Sequence, residues 1–160
     1  MSPVFPGRYT AETNEPFVVF LIGMRFNKLL AVRKWLPATR AMPRMIEELY
    51  KQPELGLLHS EFYLGWRVIY SVQYWRSFEQ LEAYSRSRDN VHLPAWQEFR
   101  RTVGDDGSVG IFHETYRVEP GSYECVYGNM PVFGLAHAAT HVAVGKRNEA
   151  ARQRMERLPG

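Results

Sequence analysis

An apolar stretch near the N-terminus, FVVFLIGMRF from Phe17 to Phe26, sets the first condition on the fold. Its apolar residues continue through Gly23 and Met24 without regular alternation, which is typical of a strand covered on both faces. An apolar face left in water forgoes the favourable free energy of burial. The sequence therefore predicts a strand inside a sheet, with a layer of structure on each side.

The next segments predict a helix and a hairpin. Asn27 can cap a helix from Lys28 to about Lys51, where apolar residues recur near helical spacing. Pro37 and Pro43 are expected to kink or divide this helix, because each lacks an amide proton and clashes with the preceding turn. The stretches GLLHSEFYLG and WRVIYSVQYW then predict two strands joined at Gly65.

Two more helical pieces and a strand complete the pattern. Ser77 and Gln80 form a capping box that opens a helix to about Arg88. Pro94 suits the first turn of a second piece, whose apolar stripe is Trp96, Phe99 and Val103. The stretch SVGIFHETYRV predicts the last strand. Its alternation places Phe112, Tyr116 and Val118 on one face and Ile111, His113 and Thr115 on the other.

The order strand, helix, strand, strand, helix, strand predicts an α+β fold of the ferredoxin-like βαββαβ type, with an antiparallel four-stranded sheet. A chain of 160 residues with 45% hydrophobic residues suits a single domain. We expect a loop before Phe17, a core over about residues 5–133 and a C-terminal extension over about residues 134–160. Because helices cover one face of such a sheet, we expect a second subunit to pack on the other.

Composition and charge exclude several classes of partner. Cys125 is the only cysteine, which excludes an internal disulfide and a cysteine-based zinc cluster within one chain. The formal net charge is +3, with much of the basic excess in the tail after Val144, so we expect no nucleic-acid partner. The longest apolar run is shorter than the roughly 20 residues of a membrane helix. The first residues lack a signal-peptide pattern, so we expect a cytoplasmic protein without membrane contact.

Common catalytic motifs are missing from the sequence. It has no glycine loop for phosphates, no Rossmann fingerprint and no GxSxG elbow, which argues against nucleotide enzymes and α/β-hydrolases. His137 and His141 stand at helical spacing, where two imidazoles can share a metal. However, Ala138 follows the first histidine where metalloproteases carry a glutamate, so the sequence predicts no metal site.

His92 is the histidine with the strongest claim to chemistry. It lies in a break before Pro94, and such a break can aim a side chain into the space between helix and sheet. Tyr84, Trp96 and Trp75 would make that space apolar, which lowers the pKa of an imidazole and leaves it neutral as a base or a ligand. The alternative interpretation is an ordinary histidine in a surface loop.

Three further polar residues each have two interpretations. His113 follows strand alternation and points away from the face of its neighbour Glu114, so it is either a hydrogen-bonded structural histidine or part of a site. Arg25 either binds an anionic group of a substrate or pairs with a carboxylate at the sheet edge. Asn27 either caps the predicted helix or stabilises charge on a substrate.

Five stretches carry a family resemblance: EPFVVFLIGMRFNKL, WLPATRAMPRMIEELY, VQYWRSFEQLEAYSRSRDNVHLPAWQEF, VGIFHETY and YGNMP. They resemble a family of small bacterial and fungal proteins described as monooxygenase-like, one fungal branch of which is associated with the fumagillin pathway. The similarity covers roughly Phe5 to Phe133. This family is similar in turn to the antibiotic-biosynthesis monooxygenases, so the resemblance implies a dimeric α/β barrel formed by a homodimer.

The wider group to which the resemblance leads includes cofactor-independent oxygenases of aromatic substrates and haem-degrading monooxygenases. In the haem-degrading members, a histidine near the end of the second helix holds the iron, and His92 occupies the comparable region here. Tyr84 stands near the position of an assisting tryptophan. An asparagine of the first strand also assists in those proteins, whereas this sequence offers none on that strand before Asn27.

The resulting hypothesis is a small monooxygenase that oxidises a hydrophobic or aromatic, secondary-metabolite-like molecule in a pocket between the sheet and the second helix. His92 would act as general base, and Arg25 or Asn27 would stabilise the oxyanion. The substrate-binding residues would be Trp75, Tyr84, Trp96 and His113. This hypothesis requires no cofactor. The alternatives are a haem enzyme for oxygenation or oxime dehydration, with His92 or His113 on the iron, and a non-enzymatic dimeric ligand-binding protein.

Overall fold

The computed structural model describes residues 2–87 and 92–156, without the side chains of residues 92, 93 and 95. The strands over these residues are β1 (Phe5–Glu12), β2 (Phe17–Phe26), β3 (Leu57–Leu64), β4 (Val68–Trp75), β5 (Val109–Val118), β6 (Tyr127–Met130) and β7 (Thr140–Ala143). The α-helices are α1 (Val32–Lys51), α2 (Phe78–Arg86), α3 (His92–Val103) and α4 (Ala151–Met155). Short 3-10 helices cover Pro53–Leu55 and Gly134–His137. No helix within the described part of the chain is long and apolar enough to cross a membrane.

The central sheet has four antiparallel strands in the order β3-β4-β2-β5. With α1 after β2 and with α2 and α3 between β4 and β5, this is the ferredoxin-like βαββαβ arrangement that the sequence predicts. In the middle of the sheet, Ile22 of β2 lies opposite Ser71 of β4 and His113 of β5. The apolar stretch of β2 therefore lies between two neighbouring strands.

A second sheet forms from the two ends of the chain, in the order β6-β1-β7. The prediction of a loop before Phe17 is wrong, because β1 pairs antiparallel with both β6 and β7. Pro6 and Gly7 conceal this strand in the sequence, and the pairing register with β6 shifts between Phe5 and Arg8, where Gly7 has a φ of 92°. The predicted C-terminal extension contributes β7 to this terminal sheet.

The helical side of the central sheet carries most of the core. One buried cluster joins Val18 and Trp75 of the sheet to Ile46 and Leu49 of α1 and Tyr84 of α2. A second cluster joins Met24, Phe26 and Val109 to Val103 of α3. The predicted stripe of α3 is confirmed at its described side chains, since Phe99 packs against this second cluster and Trp96 stacks on Phe99 with ring centroids 5.6 Å apart.

The opposite face of the central sheet is covered over one half only. Phe17 is buried there with Ala11 of the terminal sheet and with Leu135 and Ala136 of the second 3-10 helix. The chain's own termini therefore cover this half, and the expectation that a second subunit packs on this face stays a prediction for the other half. The other half contains Phe112 and Tyr116, whose exposed fractions are 36% and 52%.

The first helix begins later than predicted and is not divided. It starts at Val32 and continues through Pro37 and Pro43 to Lys51, with its apolar side packed on the sheet. Asn27 is not its cap, because the Asn27 side-chain amide donates to the carbonyl of Gly107 at 3.1 Å. The amide of Lys28 donates to the carbonyl of Ser108, so this segment extends the pairing of β2 with β5.

The N-cap half of the capping box predicted for α2 is confirmed. Ser77 is the N-cap of Phe78–Arg86, and its hydroxyl accepts the backbone amide of Gln80 at 3.1 Å. The Gln80 side-chain amide donates to the carbonyl of Glu54, which ties the start of α2 to the first 3-10 helix. The predicted end of this helix at Arg88 lies outside the described residues.

Candidate functional site

An apolar cleft lies between the central sheet and the helical layer. It has an inner and an outer part, which share Ile22 of β2 with Met42 and Met45 of α1. The inner part has about 390 Å³ of empty space, which includes solvent at its mouth, and is lined further by Phe20, Leu49, Gln73, Trp75, Leu81 and Tyr84. The outer part has about 530 Å³ of open space and is lined further by Met24, Ala38, Trp96, Phe99 and Ile111. A cleft with this lining suits a hydrophobic molecule.

Two hydrogen bonds fix the polar groups at the inner end of the cleft. The indole nitrogen of the buried Trp75 donates to the side-chain oxygen of Gln73 at 2.9 Å. The Tyr84 hydroxyl donates to a Glu48 carboxylate oxygen at 2.9 Å. Burial raises the pKa of Tyr84 well above its ordinary value, and the bond to Glu48 raises it further. These side chains are held in place before any ligand enters.

Three of the predicted substrate-binding residues line this cleft. Trp75 of β4 and Tyr84 of α2 have ring centroids 5.8 Å apart at the inner end. Trp96 of α3 is 40% exposed and lines the outer part. The structure therefore brings these aromatic residues together on one side of the sheet.

Arg25 and Asn27 are not part of this arrangement. Strand alternation places Arg25 on the sheet face opposite Met24 and Phe26, which face the helices. Its guanidinium donates to the side-chain oxygen of Asn27, and Asn27 in turn holds the loop at Gly107. Within the described residues, Arg25 thus bonds to the amide of Asn27 and not to a carboxylate, the partner expected in one interpretation of the sequence. The sheet separates Arg25 and Asn27 from the cleft.

The two histidines proposed as iron ligands differ in what the structure describes. His113 is exposed on the edge strand β5, where its ring lies 5.8 Å from that of Phe20. It does not line the cleft, and no described residue that lines either part carries a positive charge for the propionates of a haem. His113 therefore lies beside the cleft, next to Phe20, and not in its lining. His92 is the first residue of α3, and its side chain lies outside the described part of the structure.

The sequence analysis missed the contribution of α1 to the cleft. Met42 and Met45 line both parts, and Ile46 and Leu49 line the inner part. Their spacing of three, four and seven residues is the pattern of one helix face and could have identified them. The flexible thioethers of Met42 and Met45 allow the cleft to adapt to ligands of different shape.

A second group of polar side chains lies on the opposite face of the sheet. His59, Glu61 and His137 each offer one potential metal-binding atom, and these three atoms lie within 4.8 Å of one another. The His59 Nε2 atom is 3.0 Å from a Glu61 carboxylate oxygen, and the rings of His59 and His137 stack with centroids 4.1 Å apart. His137 is thus close to His59, whereas His141 stacks on Tyr9 in the terminal sheet.

Comparison with known proteins relates the chain to oxygenases by sequence. Residues 17–135 match the profile of the family described as Monooxygenase af470-like. Monooxygenase af470 of Aspergillus fumigatus is 27% identical, over 78% of this chain and 48% of that protein. The chain thus spans about half the length of this relative.

One solved structure shows a similar fold, and a second has a lower TM-score. An aldoxime dehydratase crystallised with butyraldoxime has a TM-score of 0.65 at 18% identity, over 82% of this chain and 39% of the enzyme. SnoaB, a cofactor-independent oxygenase from Streptomyces nogalater, has a TM-score of 0.45 at 11% identity, over 62% of this chain and 90% of that protein. The sequence match from the first strand of the central sheet to the second 3-10 helix includes every strand of that sheet and most of the cleft. The chain is a member of the Monooxygenase af470-like family.

Proposed function

We propose that the protein is a small monooxygenase that oxidises a hydrophobic or aromatic molecule in the cleft between the central sheet and its helices. The observation that carries this proposal is the apolar cleft, whose inner part is lined by Trp75 and Tyr84, whose outer part is lined by Trp96, and whose two parts share the methionines of α1. Membership of a monooxygenase family supports the reaction class. The bonds that fix Trp75 and Tyr84 support a cleft organised in advance of binding.

The proposed chemistry draws its electrons from the substrate. A base removes a proton from an acidic hydroxyl or from a CH₂ group activated by a neighbouring aromatic ring, and His92 is the base that we propose. The resulting anion passes an electron to O₂, and the two radicals combine to a peroxide. Loss of water from the peroxide leaves a carbonyl, so that one oxygen atom enters the substrate and the other leaves as water. Once the anion has formed, an apolar cleft keeps solvent protons from returning to it before it meets O₂.

The position of Arg25 and Asn27 changes the oxyanion part of the sequence hypothesis. The sheet lies between this pair and the cleft, so the proposal gives neither residue a role in the reaction. Variants of both residues then serve as controls for the His92 variant. With anthrone or a naphthol as the probe substrate, we expect Arg25→Ala to consume oxygen at the wild-type rate and His92→Ala to lose at least about tenfold. Equal rates in His92→Ala and wild type would remove His92 from the mechanism.

A cleft-filling variant tests the location of the reaction independently of His92. Met45→Trp places a bulky ring where the inner and outer parts of the cleft meet. Leu30→Trp introduces the same ring at a residue that is 97% exposed, and is the matched control. We expect Met45→Trp to lose both binding of anthrone and oxygen consumption, and Leu30→Trp to retain both. Full activity of a folded Met45→Trp protein would place the reaction elsewhere.

A haem-dependent reaction is the second candidate, and the similarity of fold to an aldoxime dehydratase favours it. In this candidate His92 would hold the iron, since His113 does not line the cleft, and the propionates would need a cation that the described lining lacks. Haem is added to the purified protein and the Soret band is recorded for wild type and for His92→Ala. A band that is absent, or that is unchanged in the variant, contradicts this candidate. Saturable binding of hydrophobic probes without turnover or a Soret band would favour the third hypothesis, a ligand-binding protein.

We also infer that the protein forms a homodimer through the half of the central sheet that its termini leave uncovered. Phe112 and Tyr116 of β5 lie on this half with the stacked pair Tyr63 and Tyr70, whose ring centroids are 5.0 Å apart. An exposed surface of this composition is typical of protein interfaces, which are enriched in aromatic residues. A second copy related by a twofold axis would cover it with the same residues.

A further inference from the structure

We infer that His59, Glu61 and His137 form a binding site for a divalent transition metal, separate from the cleft. Two imidazoles and one carboxylate converge here from two distant parts of the chain. This donor set is typical of metal sites that keep open coordination positions, including those for iron and zinc.

The sheet positions two of the three ligands. His59 and Glu61 are two residues apart on β3, so both side chains point to the face opposite the helices. His137 ends the second 3-10 helix, which packs on the same face beside Phe17. The metal-binding atoms are within 4.8 Å of one another, whereas two ligands at about 2.1 Å from one ion are at most about 4.2 Å apart. Small side-chain rotations therefore suffice to place all three on one ion.

Neighbouring groups hold the ligands in an orientation that suits a metal. The Tyr50 hydroxyl is 3.3 Å from His59 Nδ1, and its oxygen accepts the backbone amide of Ser60 at 2.9 Å. When His59 Nδ1 donates to Tyr50, its Nε2 atom is left as a metal ligand, which is the outer hydrogen bond that metal-binding histidines usually make. The backbone amide of Gly134 donates to a Glu61 oxygen at 3.2 Å and fixes this carboxylate as well.

Burial leaves the site with one open side. The His59 and Glu61 side chains are 17% and 23% exposed, whereas His137 is exposed and lines a broad surface depression with Thr13 and Ala139. An ion can enter from this side, and water or another small ligand can complete its coordination. The hydrogen bond between His59 and Glu61 explains why these two residues are close without a metal, but it does not account for the second imidazole stacked beside them.

The test measures metal binding directly on the full chain. The protein is treated with a chelator and titrated with Zn²⁺ in a calorimeter, and Co²⁺ is then used as a probe with a visible absorption spectrum. We expect one ion per chain and a Kd at least about tenfold weaker in each of His59→Ala, Glu61→Gln and His137→Ala. His141→Ala is the matched control, because it removes a nearby histidine of the terminal sheet that stacks on Tyr9, and we expect its affinity to equal that of wild type.

Two results would overturn this inference. The first is the lack of stoichiometric binding by folded wild-type protein, with folding monitored by far-ultraviolet circular dichroism. The second is binding that persists unchanged in His137→Ala, whose exposed side chain can be removed with little effect on the fold. Neither result bears on the proposed oxygenation in the cleft, which the Met45→Trp variant tests on the other face of the sheet.

Discussion

The ring of Phe112 on β5 lies directly against the backbone of Gly23 on β2. These residues are opposite one another in the sheet, and a Cβ atom added at Gly23 would lie 2.6 Å from Phe112 Cζ. The same atom would lie 2.5 Å from the Cβ of Tyr70 on β4. Gly23 therefore allows one aromatic residue from each neighbouring strand, Phe112 of β5 and Tyr70 of β4, to pack against the backbone of β2.

Gly23→Ala is expected to destabilise the protein by about 1 to 3 kcal/mol, because the added methyl overlaps a Cβ atom that cannot turn away. Denaturant unfolding monitored by circular dichroism measures the change. Gly128→Ala on β6 is the control, since its added Cβ would meet nothing within 4 Å. Equal stability of the Gly23→Ala and Gly128→Ala proteins would show that Phe112 and Tyr70 do not restrict position 23.

Trp75→Phe is expected to lower the free energy of unfolding by about 2 kcal/mol. The change leaves a gap at a side chain that is 1% exposed, and it removes the donor that satisfies the Gln73 oxygen. Trp66→Phe is the matched substitution at a residue that is 85% exposed, where we expect a change within about 0.5 kcal/mol. Urea unfolding of both variants gives the comparison, and similar losses would mean that Trp75 is not the better packed of the two.

The central sheet could be predicted because its signals are local. Alternation gives the two faces of β5, and Ser77 marks the start of α2 through its own hydrogen bond. The terminal sheet could not be predicted in this way, because its local signals are weak. Pro6 and Gly7 interrupt β1, and its partners β6 and β7 have only 4 residues each. Periodicity needs a longer segment to be recognised.

The candidate site was predicted where strand or helix spacing decides which way a side chain points. Trp75 and Tyr84 meet in the cleft as expected. The role given to Arg25 followed from its position in the chain, whereas alternation along β2 already places it opposite Met24. The spacing of His59 and Glu61 was visible in the sequence, but the approach of His137 depends on how the C-terminal segment packs on the sheet.

Tyr116→Lys is expected to convert a dimer into a monomer. It replaces an aromatic ring that is 52% exposed on the uncovered half of the sheet with a charged side chain, which the proposed twofold contact would have to remove from water. Size-exclusion chromatography with light scattering gives the mass of the protein in solution. Leu64→Lys is the control, because this residue of β3 is 80% exposed and alternates onto the opposite face. A wild-type protein that is monomeric at high concentration would contradict the proposed interface.

Alkaline pH is expected to weaken the fold through Tyr74, which joins the central sheet to the second 3-10 helix. Burial is the largest cause that raises the pKa of Tyr74 from 10.0 to about 12, and the negative charges that Tyr63, Cys125 and Glu61 carry when ionised contribute to this rise. The folded protein therefore keeps the Tyr74 proton at a pH where the unfolded chain has lost it. The stability contributed by the neutral phenol is complete below about pH 10 and is lost as the pH rises towards about 12.

Urea unfolding of wild type and Tyr74→Phe over this pH range tests the assignment. We expect the free energy of unfolding to fall less steeply with pH in Tyr74→Phe, since phenylalanine has no proton to lose. The difference between the two proteins at neutral pH gives the effect of removing the hydroxyl itself, so only the change in slope reports the titration. Parallel curves between about pH 10 and 12 would assign the alkaline loss to other buried tyrosines, among which burial also raises the pKa of Tyr84 and Tyr127.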